Sequence, residues 1–209
     1  MLRYLLAIVL VMAVAATGCK GDKKDSGEQS VVEAPRQLTR ANIVRESGYE
    51  ASKAFIVVSK KELTLSVYAP DEKGDTVLVA EFPACLSKNK GNKERPGDMR
   101  TPESPADKPF EITQIQDAST WEHDFGDGRG KILAYGHWFL RLATPGHSGI
   151  GIHGSTNNRE SVPGRASEGC IRLLDEDIIT VKEKYAYVGM PVIIKGEDQG
   201  PLPFERNAR

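Results

Sequence analysis

Apolar and polar residues alternate along much of the chain after residue 54, with the period of two that is typical of β-strands. Residues 55–59 are rich in β-branched side chains, and residues 62–68 resume the alternation after a short polar break. These two segments are predicted to form a hairpin of two strands. A turn-forming cluster follows at residues 71–75, and a third strand is predicted over residues 76–84.

Strand patterns return in the second half of the chain. They cover residues 110–115, 138–142, 149–153 and 190–195. Between the two halves lies a segment rich in Lys, Gly, Pro, Asp and Glu, residues 87–109. This composition predicts a long exposed loop rather than a buried element.

Helical signals are few. Residues 175–184 place apolar side chains among charges, with Asp175 as the predicted N-cap. Apolar positions among residues 38–44 predict a second short helix that packs on the domain. The sum is a mostly β domain with one or two short helices.

The first twenty residues have the organisation of an export signal. Arg3 precedes an apolar run over residues 4–16, which is too short to span a bilayer, and small residues lead to Cys19. The ending resembles the lipobox of bacterial lipoproteins, in which the cysteine is acylated and becomes the mature N-terminus. An ordinary secretory signal is the alternative. The charged spacer after Cys19 favours the lipoprotein, because such a segment cannot bury apolar surface and suits a tether.

These patterns predict four parts. Residues 1–18 are a signal peptide, residues 19–50 a lipid-anchored tether that includes the predicted short helix, residues 51–198 the folded domain and residues 199–209 a C-terminal tail. The domain is expected to be exported and held at the cell envelope, facing the periplasm if the cell has an outer membrane. We expect a monomer. The formal net charge of −1 disfavours a nucleic-acid partner.

The remaining cysteines and histidines allow two alternatives. Cys85 and Cys170 could pair in an oxidising compartment, but Cys85 lies in an apolar strand pattern, where a free cysteine behaves as a small hydrophobe. Unpaired thiols are therefore expected. Three of the four histidines, His123, His137 and His147, fit no zinc-binding spacing. They are expected on the surface or in loops. We expect no metal and no cofactor.

The most informative stretch holds His153 and Cys170. A thiol is a weak nucleophile until its proton is removed, and a histidine within hydrogen-bond reach can remove that proton and later return it to a leaving amine. Both residues lie among small residues beside short apolar runs. The stretch is therefore typical of a cysteine acyl-transfer site.

In this stretch the chain resembles the YkuD-type L,D-transpeptidase family. The family hallmark is a His-Gly motif followed, about fifteen to twenty residues later, by Ser-His-Gly-Cys and usually Ile-Arg. Here His-Gly-Ser begins at residue 153, and Ser-Glu-Gly-Cys-Ile-Arg covers residues 167–172. Thr101-Pro102 ahead of Phe110 also matches the family. The likeness spans roughly residues 54–196.

The resemblance implies a β-sandwich-like catalytic domain that acts on peptidoglycan stem peptides. Cys170 would attack the bond between an L-centre and D-alanine, His153 would act as general base and acid, and the thioester would pass to an amine. Water as acceptor would make the same enzyme an L,D-carboxypeptidase or amide hydrolase. A non-catalytic lipoprotein that only binds peptidoglycan is the third possibility, because Glu168 stands where the family usually has histidine.

Several further residues have expected roles. On extended backbone, Glu168 could orient His153 as a third triad member, or it could raise the thiol pKa if it lies nearer the sulfur. Ser155 and Ser167 either hold His153 in its useful tautomer or satisfy local backbone groups. Backbone amides of Gly169 and Cys170 are candidate oxyanion donors. The expected substrate-side residues are Arg172, Gly154, Tyr135 and Trp138, with core packing an equal alternative for Trp138.

Overall fold

The computed structural model describes residues 38–208. The predicted signal peptide, the lipidation at Cys19 and most of the predicted tether lie outside these residues. Within the described part of the chain, no helix combines the length and the apolar character needed to cross a membrane.

Between residues 38 and 208 the chain forms thirteen strands and one α-helix. The strands are β1 (Asn42–Ile43), β2 (Phe55–Ser59), β3 (Thr64–Pro70), β4 (Thr76–Pro83), β5 (Cys85–Ser87), β6 (Phe110–Asp117), β7 (Glu122–Asp124), β8 (Lys131–Leu133), β9 (Trp138–Leu142), β10 (Gly151–His153), β11 (Gly164–Ser167), β12 (Ile171–Arg172) and β13 (Pro191–Lys195). The helix is α1 (Asp175–Lys184), and 3-10 turns lie at Ala51–Lys53, Arg159–Ser161 and Pro203–Arg206. The prediction of a mostly β domain is confirmed.

Eleven strands hydrogen-bond in the order β1-β4-β3-β2-β13-β6-β9-β10-β12-β5-β11. Three neighbouring pairs are parallel, β2 with β13, β10 with β12 and β5 with β11. The strands β7 and β8 form a separate antiparallel hairpin. Parallel neighbours need a long connection, so strands distant in the chain become adjacent at these three places.

The two halves of the large sheet share one core. Ile56 of β2 and Leu65 of β3 belong to the same buried cluster as Ile152 of β10 and Ile171 of β12. Val57, the next residue along β2 after Ile56, belongs to a second, smaller cluster on the other side of the sheet. Strand β2 is therefore buried on both faces, which explains its nearly continuous apolar sequence.

The C-terminal segment covers that second face. Phe204 packs its ring 5.3 Å from the rings of both Phe55 and Tyr68. The amide of Leu78 donates to the carbonyl of Ala208 at 3.0 Å. Residues 202–208, which the sequence pattern separated from the domain as a tail, thus contribute to the packing of the sheet.

The helix predicted near residues 38–44 does not form. Asn42 and Ile43 instead make the short strand β1, which pairs antiparallel with β4. The amide of Val44 continues the contact by donating to Val79. Pairing of this kind covers the backbone groups of a sheet edge, which would otherwise be open to other chains.

The long loop predicted over residues 87–109 is present from residue 88. Contrary to the prediction, it is not exposed throughout, because Thr101 and Ser104 are buried. A buried lysine anchors it. Lys60 is fully buried, and its ammonium group lies 2.5 Å from Glu103 and 3.4 Å from Glu197. It also donates to the carbonyl of Gly91 at 2.7 Å. One charge thus joins the end of β2, the loop and the segment after β13.

Replacement of this lysine tests the anchor. Lys60→Met leaves the carboxylates of Glu103 and Glu197 without their buried cation, so we expect a loss of about 3–5 kcal/mol in the free energy of unfolding. Lys61→Met, at the exposed neighbouring position, should change it by less than about 0.5 kcal/mol. Urea denaturation measures both. Equal values for the two variants would show that the anchor does not stabilise the fold.

Candidate active site

The parallel pairing of β10 with β12 brings the two halves of the predicted site together. In this pair Ile152 lies opposite Ile171, and His153 lies opposite Arg172. Cys170 immediately precedes β12, and its Sγ donates to the carbonyl of Gly149, just before β10, at 3.4 Å. The thiol and the imidazole, seventeen positions apart in the sequence, therefore lie on neighbouring backbone segments.

His153 is buried in an aromatic pocket. Its ring stacks on Phe139, with centroids 5.7 Å apart and planes 12° apart, and lies 4.8 Å from the ring of Tyr135. Its Nδ1 is 2.7 Å from the carbonyl oxygen of Gly154. Because a carbonyl only accepts, Nδ1 carries the proton and Nε2 keeps its lone pair. That tautomer is the one able to accept a proton at Nε2.

Surrounding protein keeps both groups uncharged. Burial, with a smaller effect from the positive charge of Arg172, lowers the pKa of His153 to about 3. Burial raises the pKa of the Cys170 thiol above its ordinary value, while the amide of Gly151 and the charges of Arg172 and Arg141 act against it. At neutral pH the proton therefore stays on sulfur, beside a neutral imidazole.

This arrangement favours general-base catalysis over a preformed ion pair. In the described residues the thiol donates to Gly149, and no hydrogen bond joins it to the ring of His153. Catalytic hydrogen bonds commonly tighten only when substrate binds. Chemically, His153 can take the proton of the Cys170 thiol while the sulfur attacks an acyl group.

Glu168 contacts a different histidine from the one expected. Its Oε2 lies 3.3 Å from Nε2 of His123 in β7, and Nδ1 of His123 lies 3.5 Å from the hydroxyl of Tyr135. The expectation that Glu168 directly orients His153 required extended backbone. Gly169 has a φ of +148° instead, so the alternation of side chains is broken between Glu168 and Cys170. Its charge nevertheless contributes to the raised pKa of Cys170.

The hairpin of β7 and β8 extends over the same site. Phe125 places its ring 5.4 Å from the guanidinium of Arg172. Arg172 is buried and also donates to the hydroxyl of Ser161 at 3.0 Å. Arg129 donates to Asn158 at 2.9 Å. Sequence reasoning missed this contribution, because a glycine-rich hairpin carries no signal for which strand ends it will cover.

The serines and Gly169 serve mainly the local backbone. Ser167 Oγ donates to the carbonyl of Cys170 at 2.6 Å and accepts from the amide of Gly169 at 3.3 Å. The Gly169 amide therefore points at Ser167 in this state. Ser155 donates its backbone amide to Asp175 at 2.6 Å, and its own hydroxyl is buried without a partner. Neither serine hydroxyl forms a hydrogen bond with the ring of His153 in the part of the chain that the structure describes.

Two of the four residues expected to face the substrate, Gly154 and Trp138, take part in backbone packing and core packing. A side chain at Gly154 would collide with Asp175 and with the Cα of Gly136, so glycine is required there for close packing. Trp138 packs against the core, with Lys182 Nζ 4.3 Å from its ring centre. Tyr135 and Arg172 do lie at the site.

Asp175 is not the N-cap of α1. Leu174 occupies that position, and Asp175 is the first helical residue. Its carboxylate faces the loop after His153, where it accepts from Ser155 and, at 2.5 Å, from the hydroxyl of Thr156. The acidic start of a helix suggested a cap, and sequence alone did not indicate the loop that the carboxylate holds.

Both cysteines of the described region are free, as expected, and no group of three or more His, Cys, Asp or Glu side chains within residues 38–208 is arranged to hold a metal ion. A cavity of about 370 Å³ lies between the long loop, the start of β6 and the turn before β10, and neither Cys170 nor His153 lines it. Its walls include Pro102, Lys108, Glu111 and His147.

Comparison with known proteins gives a family match over most of the domain. The sequence model of the YkuD family, described as the L,D-transpeptidase catalytic domain, matches residues 53–194. Comparison with curated proteins gave no match.

Among solved structures, the chain is similar to Bd1075 of Bdellovibrio bacteriovorus, with 19% identity, a TM-score of 0.48, and 78% of this chain and 53% of that chain covered. An L,D-transpeptidase from Mycobacterium smegmatis is 20% identical, with a TM-score of 0.46 over 69% of this chain and 59% of that one. Pgp2, the helical cell shape determining protein of Campylobacter jejuni, is 18% identical, with a TM-score of 0.48 over 74% and 51%. The chain thus spans a little over half the length of these structures.

The neutral state of the pair predicts a pH profile. Only the thiolate reacts with iodoacetamide, and a raised thiol pKa lowers the thiolate fraction at neutral pH. We expect the alkylation rate of Cys170 in the free protein to rise steadily from about pH 6 to about pH 9, roughly tenfold per unit. Peptide mass spectrometry separates Cys170 from Cys85. A plateau between about pH 6 and pH 8 would indicate a thiolate–imidazolium pair and contradict the account.

Removal of the Glu168 charge should have a modest effect in the same assay. Glu168→Gln takes away one negative charge that raises the thiol pKa, so alkylation near neutral pH should become faster by less than about fivefold. Glu160→Gln, an equal charge change at an exposed position, should leave the rate unchanged. A slower rate in the Glu168 variant would show that the carboxylate assists formation of the thiolate.

Proposed function

Because the chain belongs to the YkuD family of L,D-transpeptidase catalytic domains, we propose that it is a cysteine-dependent L,D-transpeptidase that acts on peptidoglycan stem peptides. The observation that carries this proposal is the pairing of β10 with β12, which sets His153 beside the segment that holds Cys170. The alternative of a non-catalytic binding protein has no support from these contacts.

The proposed reaction has two acyl transfers. Cys170 Sγ attacks the carbonyl carbon of the bond between the L-centre and D-alanine while His153 Nε2 takes the thiol proton. The C–N bond then breaks, His153 gives the proton to the leaving amine, and D-alanine departs. An acceptor amine attacks the resulting thioester and its proton passes to His153. The C–S bond breaks as the new amide forms, and His153 returns the proton to the sulfur, which restores the thiol.

Electrostatics support this order of events. A neutral imidazole is available as a base over the whole physiological range, because the pKa of His153 is lowered to about 3. A histidine with so low a pKa is a weak base, so proton transfer must accompany attack on the carbonyl rather than precede it. Arg172 supplies a positive charge that favours the sulfur as negative charge develops on it.

We propose backbone donors for the oxyanion. The amide of Cys170 is the first candidate donor. Glycine is favoured before it, because the φ of Gly169 is +148° and the carbonyl of Arg100 lies where a Cβ would point. The amide of Gly169 makes a long bond of 3.3 Å to Ser167 in the free protein. Exchange of that bond for one to the oxyanion would supply a second donor.

The cavity between the long loop and the turn before β10 is the proposed place for part of the stem peptide. Pro102 lies two residues after Arg100, whose carbonyl faces Gly169, and His147 lies two residues before Gly149, which accepts from the thiol. Proline faces with a few charged groups suit a peptide that carries both carboxylate and ammonium groups.

We also propose that the enzyme is exported and tethered to a membrane through acylated Cys19. The apolar run, the small residues before Cys19 and the charged spacer after it support this proposal. The described residues include no part of this segment.

Purified stem tetrapeptide distinguishes the possible outcomes. The wild-type chain should release D-alanine and form cross-linked dimers, whereas Cys170→Ala should form none, because the nucleophile is lost. Cys85→Ala, which removes a buried thiol, is the matched control and should retain activity. Liquid chromatography with mass spectrometry identifies the products. Tripeptide without dimer would show hydrolysis in place of transfer, and unreacted tetrapeptide would contradict the proposed function.

A further inference from the structure

One peptide unit joins His153 to a carboxylate that does not touch it. The carbonyl of Gly154 faces Nδ1 of His153 at 2.7 Å. The amide of the same peptide unit, which belongs to Ser155, donates to Oδ1 of Asp175 at 2.6 Å. A peptide unit is planar and rigid, so a contact that fixes its N–H direction also fixes its C=O direction.

Asp175 is held firmly enough to fix that direction. Its second oxygen, Oδ2, accepts from the hydroxyl of Thr156 at 2.5 Å. The backbones of Gly136 and Gly154 close in on Oδ1, and neither position has room for a Cβ atom beside it. The amide of Gly154 is fixed as well, since it donates to the carbonyl of Tyr135 at 2.7 Å. The carboxylate thus sits in a fitted backbone cradle.

We propose that Asp175 is a positioning residue that keeps His153 in the Nδ1–H tautomer by orienting the peptide unit between Gly154 and Ser155. This inference rests on the proposed function, in which His153 Nε2 is the general base. In a direct triad, a carboxylate contacts the histidine and selects its tautomer. Here the carboxylate acts through an intervening peptide.

Charge strengthens the effect. A hydrogen bond to an ionised acceptor is roughly twice as strong as a neutral one. Hydrogen bonds in a chain polarise one another, so a carboxylate on the N–H makes the C=O of the same peptide a better acceptor. The proton of Nδ1 is thereby retained while Nε2 receives the proton from sulfur.

Other acidic groups near the start of α1 have different contacts. Glu176 forms an exposed ion pair with Arg159 at 2.5 Å. Glu168 contacts His123. Among the residues described, Asp175 is thus the carboxylate that contacts the peptide bonded to His153.

The test compares Asp175→Asn, Asp175→Ala and Glu176→Gln in the full chain. The ¹⁵N resonances of the His153 ring report the tautomer without any need for catalysis. The rate of acylation of Cys170 by a carbapenem, followed by intact mass over a range of concentrations, separates reaction from binding. Glu176→Gln removes the same charge one residue away and should match the wild type in both measurements.

We expect Asp175→Ala to slow acylation by about a hundredfold, with little change in the half-saturating concentration, and to shift His153 from Nδ1–H toward a mixture of tautomers. Asp175→Asn, whose amide oxygen can still accept from Ser155, should keep the tautomer, lose less than about tenfold in rate and move the His153 Nδ1 resonance. A folded alanine variant with the wild-type rate and tautomer would overturn the proposal, as would an asparagine variant damaged as severely as alanine.

If Asp175→Ala does not fold, Asp175→Asn decides. A shifted Nδ1 resonance and a slower rate, both absent from Glu176→Gln, support the proposal, and no difference between these two variants overturns it. A wild-type chain that forms no acyl-enzyme would refute the proposed function separately, because the ¹⁵N spectra would still report whether Asp175 controls the tautomer.

Discussion

The parallel contact between β10 and β12 is the constraint on which the candidate active site depends. Each strand is only two or three residues long, and neither would be stable alone. Their neighbours hold them in register, since β9 pairs with β10 and β5 pairs with β12. The core residues Ile152 and Ile171 lie opposite each other and face the common core. Hydrophobic burial on one face of the sheet thus fixes where the polar groups on the other face meet.

That position gives the site its electrostatic character. His153 stacks on Phe139 and lies beside the tilted ring of Tyr135, with Arg172 close enough to lower the pKa of His153 further. The same burial raises the pKa of the Cys170 thiol. Because this environment disfavours both the imidazolium and the thiolate, the free protein has no thiolate–imidazolium pair. In the proposed reaction, charge separation would therefore begin only when an acyl group is present. The contact between Nδ1 of His153 and the carbonyl of Gly154 leaves Nε2 as the free nitrogen.

Strand and helix patterns were predictable where one face is buried in the core. The strand at residues 138–142 and the helix at residues 175–184 begin and end at the predicted residues. Short edge elements were not. The apolar residues near Ile43 fit a helix by spacing, yet they pair with β4 because a long strand edge offers more hydrogen bonds than an isolated turn of helix.

The motif identified the histidine and the cysteine, but not their supporting residues. Alternation suggested that Glu168 and Cys170 share a face, and the backbone at Gly169 breaks that alternation. His123 and Phe125 reach the site from a hairpin whose direction is set by tertiary packing. Asp175 resembled a helix cap, whereas its contacts lie with the loop after His153. In each case a local pattern was overridden by a contact between distant segments.

A crystal structure of the carbapenem-acylated protein would test the central claim most directly. The account predicts a thioester on Cys170 Sγ, with His153 Nε2 facing the reacting group at about 2.6–3.2 Å, directly or through one water. It also predicts that Nδ1 remains bonded to the carbonyl of Gly154. A structure that leaves Cys170 unmodified, or that turns the ring of His153 away from the thioester with no segment able to bring it back, would contradict the account.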